Sequence, residues 1–231
     1  MAEPIVFVPG LLCTDALYAP QIAALADHPI MVANNRDDTS INAIAARLLE
    51  AAPDRFALIG LSMGGYIAME VMRTAPDRVS KLALLNTSAR ADTEEQSRRR
   101  STLVKMATEK SFERVPELLF PGFVHEKNES NVTLKSAVVE MAVETGPDAF
   151  VRQQRANADR IDSRPYLKSI DCSTLVLTGD GDRLLPPELS VEIRERVPQS
   201  KLVMIEECGH LSTLEDPQRV TAELGAFLTA K

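Results

Sequence analysis

A short apolar run that turns abruptly into a helix-spaced pattern constrains this chain more than any other stretch. Phe56-Ala57-Leu58-Ile59 is long enough for a buried strand, and Ile67, Met69, Val71 and Met72 then recur at helical spacing. Between them lies Gly60-Leu61-Ser62-Met63-Gly64, which fits G-x-S-x-G. A strand that becomes a helix within about three residues strains the middle one and pushes its side chain out above the sheet edge. Glycine two positions before and after removes the Cβ atoms that such a turn would bring into collision. The following helix aims unpaired N–H groups and the positive end of its dipole at the same point. The Ser62 hydroxyl is therefore predicted to stand beside an anion-friendly helix start, as acyl transfer to serine requires.

The flanking sequence alternates strand and helix. Ile5 to Val8 reads as a strand buried on both faces, broken by Pro9-Gly10 and followed by a helix carrying Tyr18, Ile22 and Leu25. Ile30 to Ala33 is a second strand, and Ser40 caps a helix with Ile41, Ile44, Ala45 and Leu48 inward. Val79 to Leu85 is a fourth strand, ended by Asn86-Thr87-Ser88. This alternation predicts a parallel sheet with helices on both faces and ligands beyond the C-terminal strand ends. From about residue 89 to 170 only helical periodicity remains, over roughly 92–109, 112–119, 130–145 and 147–159. Pro116, Pro121-Gly122, Gly146-Pro147 and Pro165 punctuate it. Alternation then returns. Thr174 to Thr178 is a fifth strand, Gly179-Asp180-Gly181-Asp182 a turn, and Pro186-Pro187 a helix start. Lys201 to Ile205 is a sixth strand, and Asp216-Pro217 opens a last helix. The expected organisation is a core over residues 1–88 and 171–231, roofed by a helical cap inserted at 89–170.

A chain of 231 residues, 45% hydrophobic, can bury a sizeable core. Its net charge of -7 argues against a nucleic-acid or anionic-membrane surface. The basic cluster Arg98-Arg99-Arg100, close to Glu94 and Glu95, reads as a solvated helix face. Three scattered cysteines, Cys13, Cys172 and Cys208, have no metal-ligand spacing and suggest a reducing compartment. No apolar stretch approaches a membrane span, and the N-terminus lacks a basic leader, so the expectation is cytoplasmic. No metal or cofactor motif stands out: Gly60 to Gly65 lacks the lysine of a phosphate loop. The expected partner is a small-molecule substrate. A homodimer is allowed but not specified.

Ser62 needs a base to take its proton, and the base needs an orienting carboxylate. Of three histidines, His28 falls at the wrong end of the sheet and His125 in the insertion. His210 follows the last strand at the edge where Ser62 sits, and is the expected base. Asp182 follows the fifth strand at that edge and can reach the ring from behind; Asp180 reads as a turn-former. The oxyanion formed on an attacked carbonyl needs two N–H donors. Met63 supplies one at the helix start, and Leu11, after Gly10, is the candidate for the other.

With these residues in hand, the sequence resembles the α/β-hydrolase superfamily over residues 1–88 and 171–231. The resemblance is carried by V-P-G-L-L, G-L-S-M-G-G, L-V-L-T-G-D-G-D-R-L-L-P-P and C-G-H-L-S-T-L-E-D-P, in that order. It implies an α/β-hydrolase fold with Ser62 as nucleophile, Asp182 as acid, His210 as base, and Leu11 and Met63 as the oxyanion hole. Three departures stand out. The loop after the second strand often reads like D-x-R-G-x-G in this superfamily, and here it is Asn34-Asn35-Arg36-Asp37-Asp38-Thr39. The family usually has His-Gly where this chain has Pro9-Gly10, so whatever that histidine contributes to holding the loop is missing. The chain also starts at what would be the family's third strand, implying a compact, mostly parallel six-stranded core.

The favoured reading is hydrolysis of a carboxylic ester, or a related acyl bond, in a small and fairly apolar substrate. Leu11, Leu12 and Met63 under an apolar roof motivate it. Two alternatives remain open. One is a carbon–carbon bond hydrolase or lyase on a polar metabolite, for which Arg152, Gln153, Arg155, Asn157 and His125 could line a pocket. The other is a ligand-binding or signalling module that retains the three residues.

Overall fold

Among the described residues six strands form one sheet, every neighbouring pair parallel, in the order β2-β1-β3-β4-β5-β6. They are β1 (Ile5–Val8), β2 (Ile30–Val32), β3 (Phe56–Leu61), β4 (Val79–Leu85), β5 (Ser173–Gly179) and β6 (Ser200–Ile205). The computed structural model describes residues 2–230, the side chains of 110 and 111 excepted. Successive residues of a strand point to opposite faces, and the inner strands are apolar on both. Ile5, Phe7, Ala57, Ile59, Ala83, Leu85 and Leu177 feed one core layer. Val6, Val8, Leu58, Leu82, Leu84 and Val176 feed the other. The uninterrupted apolar runs of β1 and β3 are explained by this two-sided burial.

Helices α2 (Ile41–Ala51), α3 (Met63–Thr74) and α7 (Pro187–Arg196) cover the second face. Ser40 caps α2 as expected, its hydroxyl accepting from Ala43 N at 3.2 Å. On the first face lie the short helices α1 (Ala19–Ala24) and α8 (Ser212–Glu215) and the final α9 (Pro217–Thr229). Asp216 caps α9 through Arg219 N, and Val220, Leu224 and Leu228 are buried, with Phe227 half-buried beside them. The helix expected around Tyr18 begins instead as a 3-10 turn, Asp15–Tyr18, before α1.

Between β4 and β5 the described chain is helical, without a strand. Thr93 and Gln96 form a capping box at the start of α4 (Glu94–Met106), which runs into a π-helical turn at Ala107–Ser111. Helix α5 (Arg114–Phe123) continues through Pro121, where the sequence suggested a stop. The two helices expected around Gly146-Pro147 form one long element, α6 (Val132–Ala158), kinked where Gly146 adopts a φ of 77°. Among the described residues no helix is long and apolar enough to cross a membrane.

Among the described residues four non-glycine residues have positive φ: Leu12, Ser62, Asn86 and Glu207. They follow β1, β3, β4 and β6, so the left-handed backbone is concentrated in loops at the C-terminal edge of the sheet. Such conformations cost about 1–3 kcal/mol each and persist where the surroundings over-determine them, commonly at functional sites.

Candidate active site

The turn after β3 is enforced by packing. Ser62 has φ 57° and ψ -115° and is the N-cap of α3. A Cβ on Gly60 would overlap the Gly64 backbone, and one on Gly64 would overlap the Val8 carbonyl. Glycine at both positions therefore lets strand and helix close on each other with β1 beneath them. Gly10 makes no comparable demand, since a Cβ there would meet ordinary contacts. Thr87, just after β4, donates its hydroxyl to the Ser62 carbonyl at 2.8 Å and braces the turn from the next strand.

Ser62 and His210 line one cavity of about 120 Å³. The His210 ring pairs through Nδ1 with Asp182 Oδ2 at 2.8 Å. Asp182 itself is almost fully buried, and its carboxylate is saturated. Oδ1 accepts from Leu184 N and Leu185 N at 3.0 and 2.9 Å, and Oδ2 accepts also from Asn86 Nδ2 at 3.0 Å. A carboxylate so held keeps a proton on Nδ1 and leaves the Nε2 lone pair free. Among the described residues no hydrogen bond joins Ser62 Oγ to the ring, a contact that in ligand-free sites is often long. Phe123 of α5 packs on the imidazole, with ring centroids 6.2 Å apart.

Asn86 escaped the reading of the sequence. It is fully buried at a φ of 44°, gives its amide hydrogens to Asp182 Oδ2 and the Gly209 carbonyl, and accepts the Ser212 hydroxyl at 2.6 Å. It thus ties the acid loop to the histidine loop. A polar residue able to adopt left-handed backbone, ending a strand at the ligand-binding edge, was the available signal. Asp180 does more than turn the chain: its Oδ1 accepts from Cys208 N at 3.2 Å.

Leu11 lines the cavity, and Met63 is the first residue of α3, where an N–H has no intrahelical acceptor. Among the described residues neither amide has a protein acceptor. The loop carrying Leu11 is held by side chains rather than by a histidine at position 9. Leu12 N donates to Gln153 Oε1 at 3.1 Å, Gln153 Nε2 donates to Asn35 Oδ1 at 3.0 Å, and Asn35 Nδ2 donates to the Pro9 carbonyl at 2.9 Å. Gln153 and Asn35 are both buried, so the helical layer fixes this loop directly.

Five residues expected at the pocket do not line this cavity, Gln153 among them, since it is taken up by its bonds to Leu12 and Asn35. Leu12 has positive φ, and its side chain is buried in the core. His125 packs against Gly181, its backbone N–H held by Glu215 at 2.7 Å. Arg152 donates to the Arg36 carbonyl at 2.7 Å, and Arg155 is exposed, because α6 turns their faces away from the cavity. His28 bonds the Glu3 carbonyl and stays remote. Asn157 does line the cavity.

The basic cluster also departs from expectation. Arg98 is exposed, but Arg99 and Arg100 line the cavity with Gln96 and Leu103. The spacing 96, 99, 100, 103 is one helix face, a signal that the run of like charges concealed. Arg100 is paired with Asp92 at 2.6 Å, and the same buried carboxylate pairs with Arg160, whose guanidinium lies 4.3 Å from the Tyr66 ring centroid. The rest of the wall is largely apolar, from Leu61, Leu119, Phe123, Leu184, Leu185 and Leu211. Cys13 also faces the cavity, and burial pushes its thiol pKa up to about 12. Among the described residues no cluster of His, Cys, Asp or Glu could hold a metal ion.

A family model described as "alpha/beta hydrolase fold" matches residues 28–217. A Rhizobium rhizogenes protein provisionally named a carbamate hydrolase is 26% identical, over 100% of this chain and 94% of its own. The pimeloyl-[acyl-carrier protein] methyl ester esterase of Aliivibrio salmonicida is 28% identical over 80% of this chain and 73% of its own. The structure of a thermophilic esterase from Thermogutta terrifontis superposes with a TM-score of 0.90 at 26% identity, covering 99% of this chain and 90% of that one.

Proposed function

The chain belongs to the α/β-hydrolase fold family, and from that membership we propose that it is a serine hydrolase acting on the carboxylic ester, or a related acyl bond, of a small and fairly apolar substrate. The observation that carries the reading is the strained Ser62 turn, opening on the same cavity as an imidazole whose far nitrogen is fixed by a buried carboxylate.

The reaction follows from these atoms. His210 Nε2 takes the Ser62 hydroxyl proton as Oγ attacks the ester carbonyl. The carbonyl π pair moves onto oxygen, and the N–H groups of Leu11 and Met63 receive the negative charge. The dipole of α3 points its positive end at that oxygen. Collapse breaks the bond to the alcohol, which takes the proton from the imidazolium and departs. Water then repeats the sequence on the acyl-Ser62 ester, with His210 as base, and frees the acid. Asp182 offsets the charge that appears on the ring. The apolar wall accommodates the acyl chain and strengthens these electrostatic interactions by excluding water.

Ser62→Ala is predicted to lower turnover of short p-nitrophenyl esters by at least about 10³-fold, as loss of a serine nucleophile does elsewhere, with an unaltered thermal transition. Turnover persisting at the wild-type rate would contradict the assignment.

A further inference from the structure

The acyl chemistry leaves Asn157 without a part to play. It is 2% exposed and lines the Ser62 cavity. Its Oδ1 is shut away without a hydrogen-bond partner and is an acceptor, so an anion does nothing for it. Its Nδ2 is not among the buried, unpartnered atoms, so the NH₂ is what this amide offers a ligand in the cavity.

The neighbouring groups say what kind of ligand. Gln154 gives Oε1 to Arg100, and Gln96 gives Oε1 to Thr93 N, so each presents its NH₂ as the remaining group. Arg99 lies at the exposed rim of the cavity and, among the described residues, has no ion-pair partner. Arg100 is neutralised only in part, because Asp92 is shared with Arg160. Among the described residues no Asp or Glu lines the cavity. One end is therefore leucine-rich, and the other combines N–H donors with uncompensated positive charge.

We infer that the substrate carries a carboxylate, seated between Arg99 and the Asn157 amide, at a distance from the ester that Ser62 attacks. This deepens the proposed function, resting on it for the ester but making the substrate apolar only along its chain and anionic at its far end. The substrate class is the half-ester of a short dicarboxylic acid, or an equivalent lactone acid. Its methylene chain lies along the leucines, and its free carboxylate meets the face of α4. An attraction of this kind also draws anionic substrates toward the mouth and weakens with salt.

Binding and turnover separate the two claims. The Ser62→Ala protein is titrated calorimetrically with monomethyl glutarate and with dimethyl glutarate, its neutral counterpart of nearly the same shape. The half-ester is expected to bind at least about tenfold tighter, the effect of one charge-assisted hydrogen bond. Arg99→Gln should bring the two ligands within about twofold, whereas Arg98→Gln, on the outer side of the same helix, should leave the preference intact. Equal or tighter binding of the diester, or no measurable binding of the half-ester, overturns the inference. Wild-type hydrolysis of both esters is followed by pH-stat. Hydrolysis without a preference in binding retains the ester reading and discards the carboxylate site. Selective binding without hydrolysis does the reverse.

Discussion

Replacing Gln153 by leucine tests whether the helical layer holds the loop that carries Leu11. The substitution preserves approximate volume and removes both polar ends. Leu12 N–H and Asn35 Oδ1, now satisfied at 3.1 and 3.0 Å, would be left buried and unpaired. Each such group costs about 1–3 kcal/mol, so stability should fall by about 2–4 kcal/mol once partial relaxation is allowed. Turnover should suffer separately. Loss of one oxyanion donor elsewhere costs about 10²–10³ in rate, and a loop displaced rather than deleted should lose about ten- to a hundredfold. The loss should fall on kcat with KM little changed, because the amides matter most once charge develops on oxygen. Asn35→Ala should act through the same chain of bonds, so the double variant should be little worse than either single one. Urea midpoints and ester kinetics on the three proteins decide the matter. Wild-type kcat in Gln153→Leu, or strict additivity with Asn35→Ala, would refute the proposed link.

Three further outcomes can be checked. Asn86→Gly tolerates the positive φ but frees Asp182 Oδ2 and the Gly209 carbonyl of their shared donor; kcat should drop about tenfold or more while near-ultraviolet circular dichroism stays native. Cys13, with its thiol held near pKa 12 by burial, remains protonated at neutral pH; native protein treated with iodoacetamide should keep its hydrolase activity, and rapid inactivation would implicate a thiol. Arg73 hydrogen-bonds the Glu70 carboxylate at 2.7 Å and holds it below the usual glutamate range, against the opposing effect of burial. A depressed folded-state pKa stabilises fully above the ordinary glutamate value and is lost as pH falls through the folded one. Urea midpoints should therefore decline in acid less steeply for Glu70→Gln than for the wild type.

Much of the architecture could be read from local chemistry. The strand–serine–helix unit is specified by neighbours in sequence, and so are the Ser40 and Asp216 caps and the apolar strands. Asp182 and His210 were legible because strand ends in a parallel sheet gather at one edge. What escaped depends on contacts between distant segments. Gln153 meets Leu12 across 141 positions, and nothing local to either marks the bond. The orientation of α6 about its axis is set by packing after the Gly146 kink, so sequence could place Arg152, Arg155 and Asn157 on one helix without saying which faced the cavity. Arg99 and Arg100 were obscured by Arg98, since three adjacent charges look solvated until the turn of the helix separates them.

The central claim is that Ser62 is the group that attacks an acyl carbonyl. Intact-mass measurement after brief exposure to a fluorophosphonate tests it with no assumption about substrate. The account predicts one phosphonyl adduct, mapped to Ser62, absent from Ser62→Ala and much slower to form in His210→Ala. An unmodified wild-type protein, or an adduct on another residue, would contradict it.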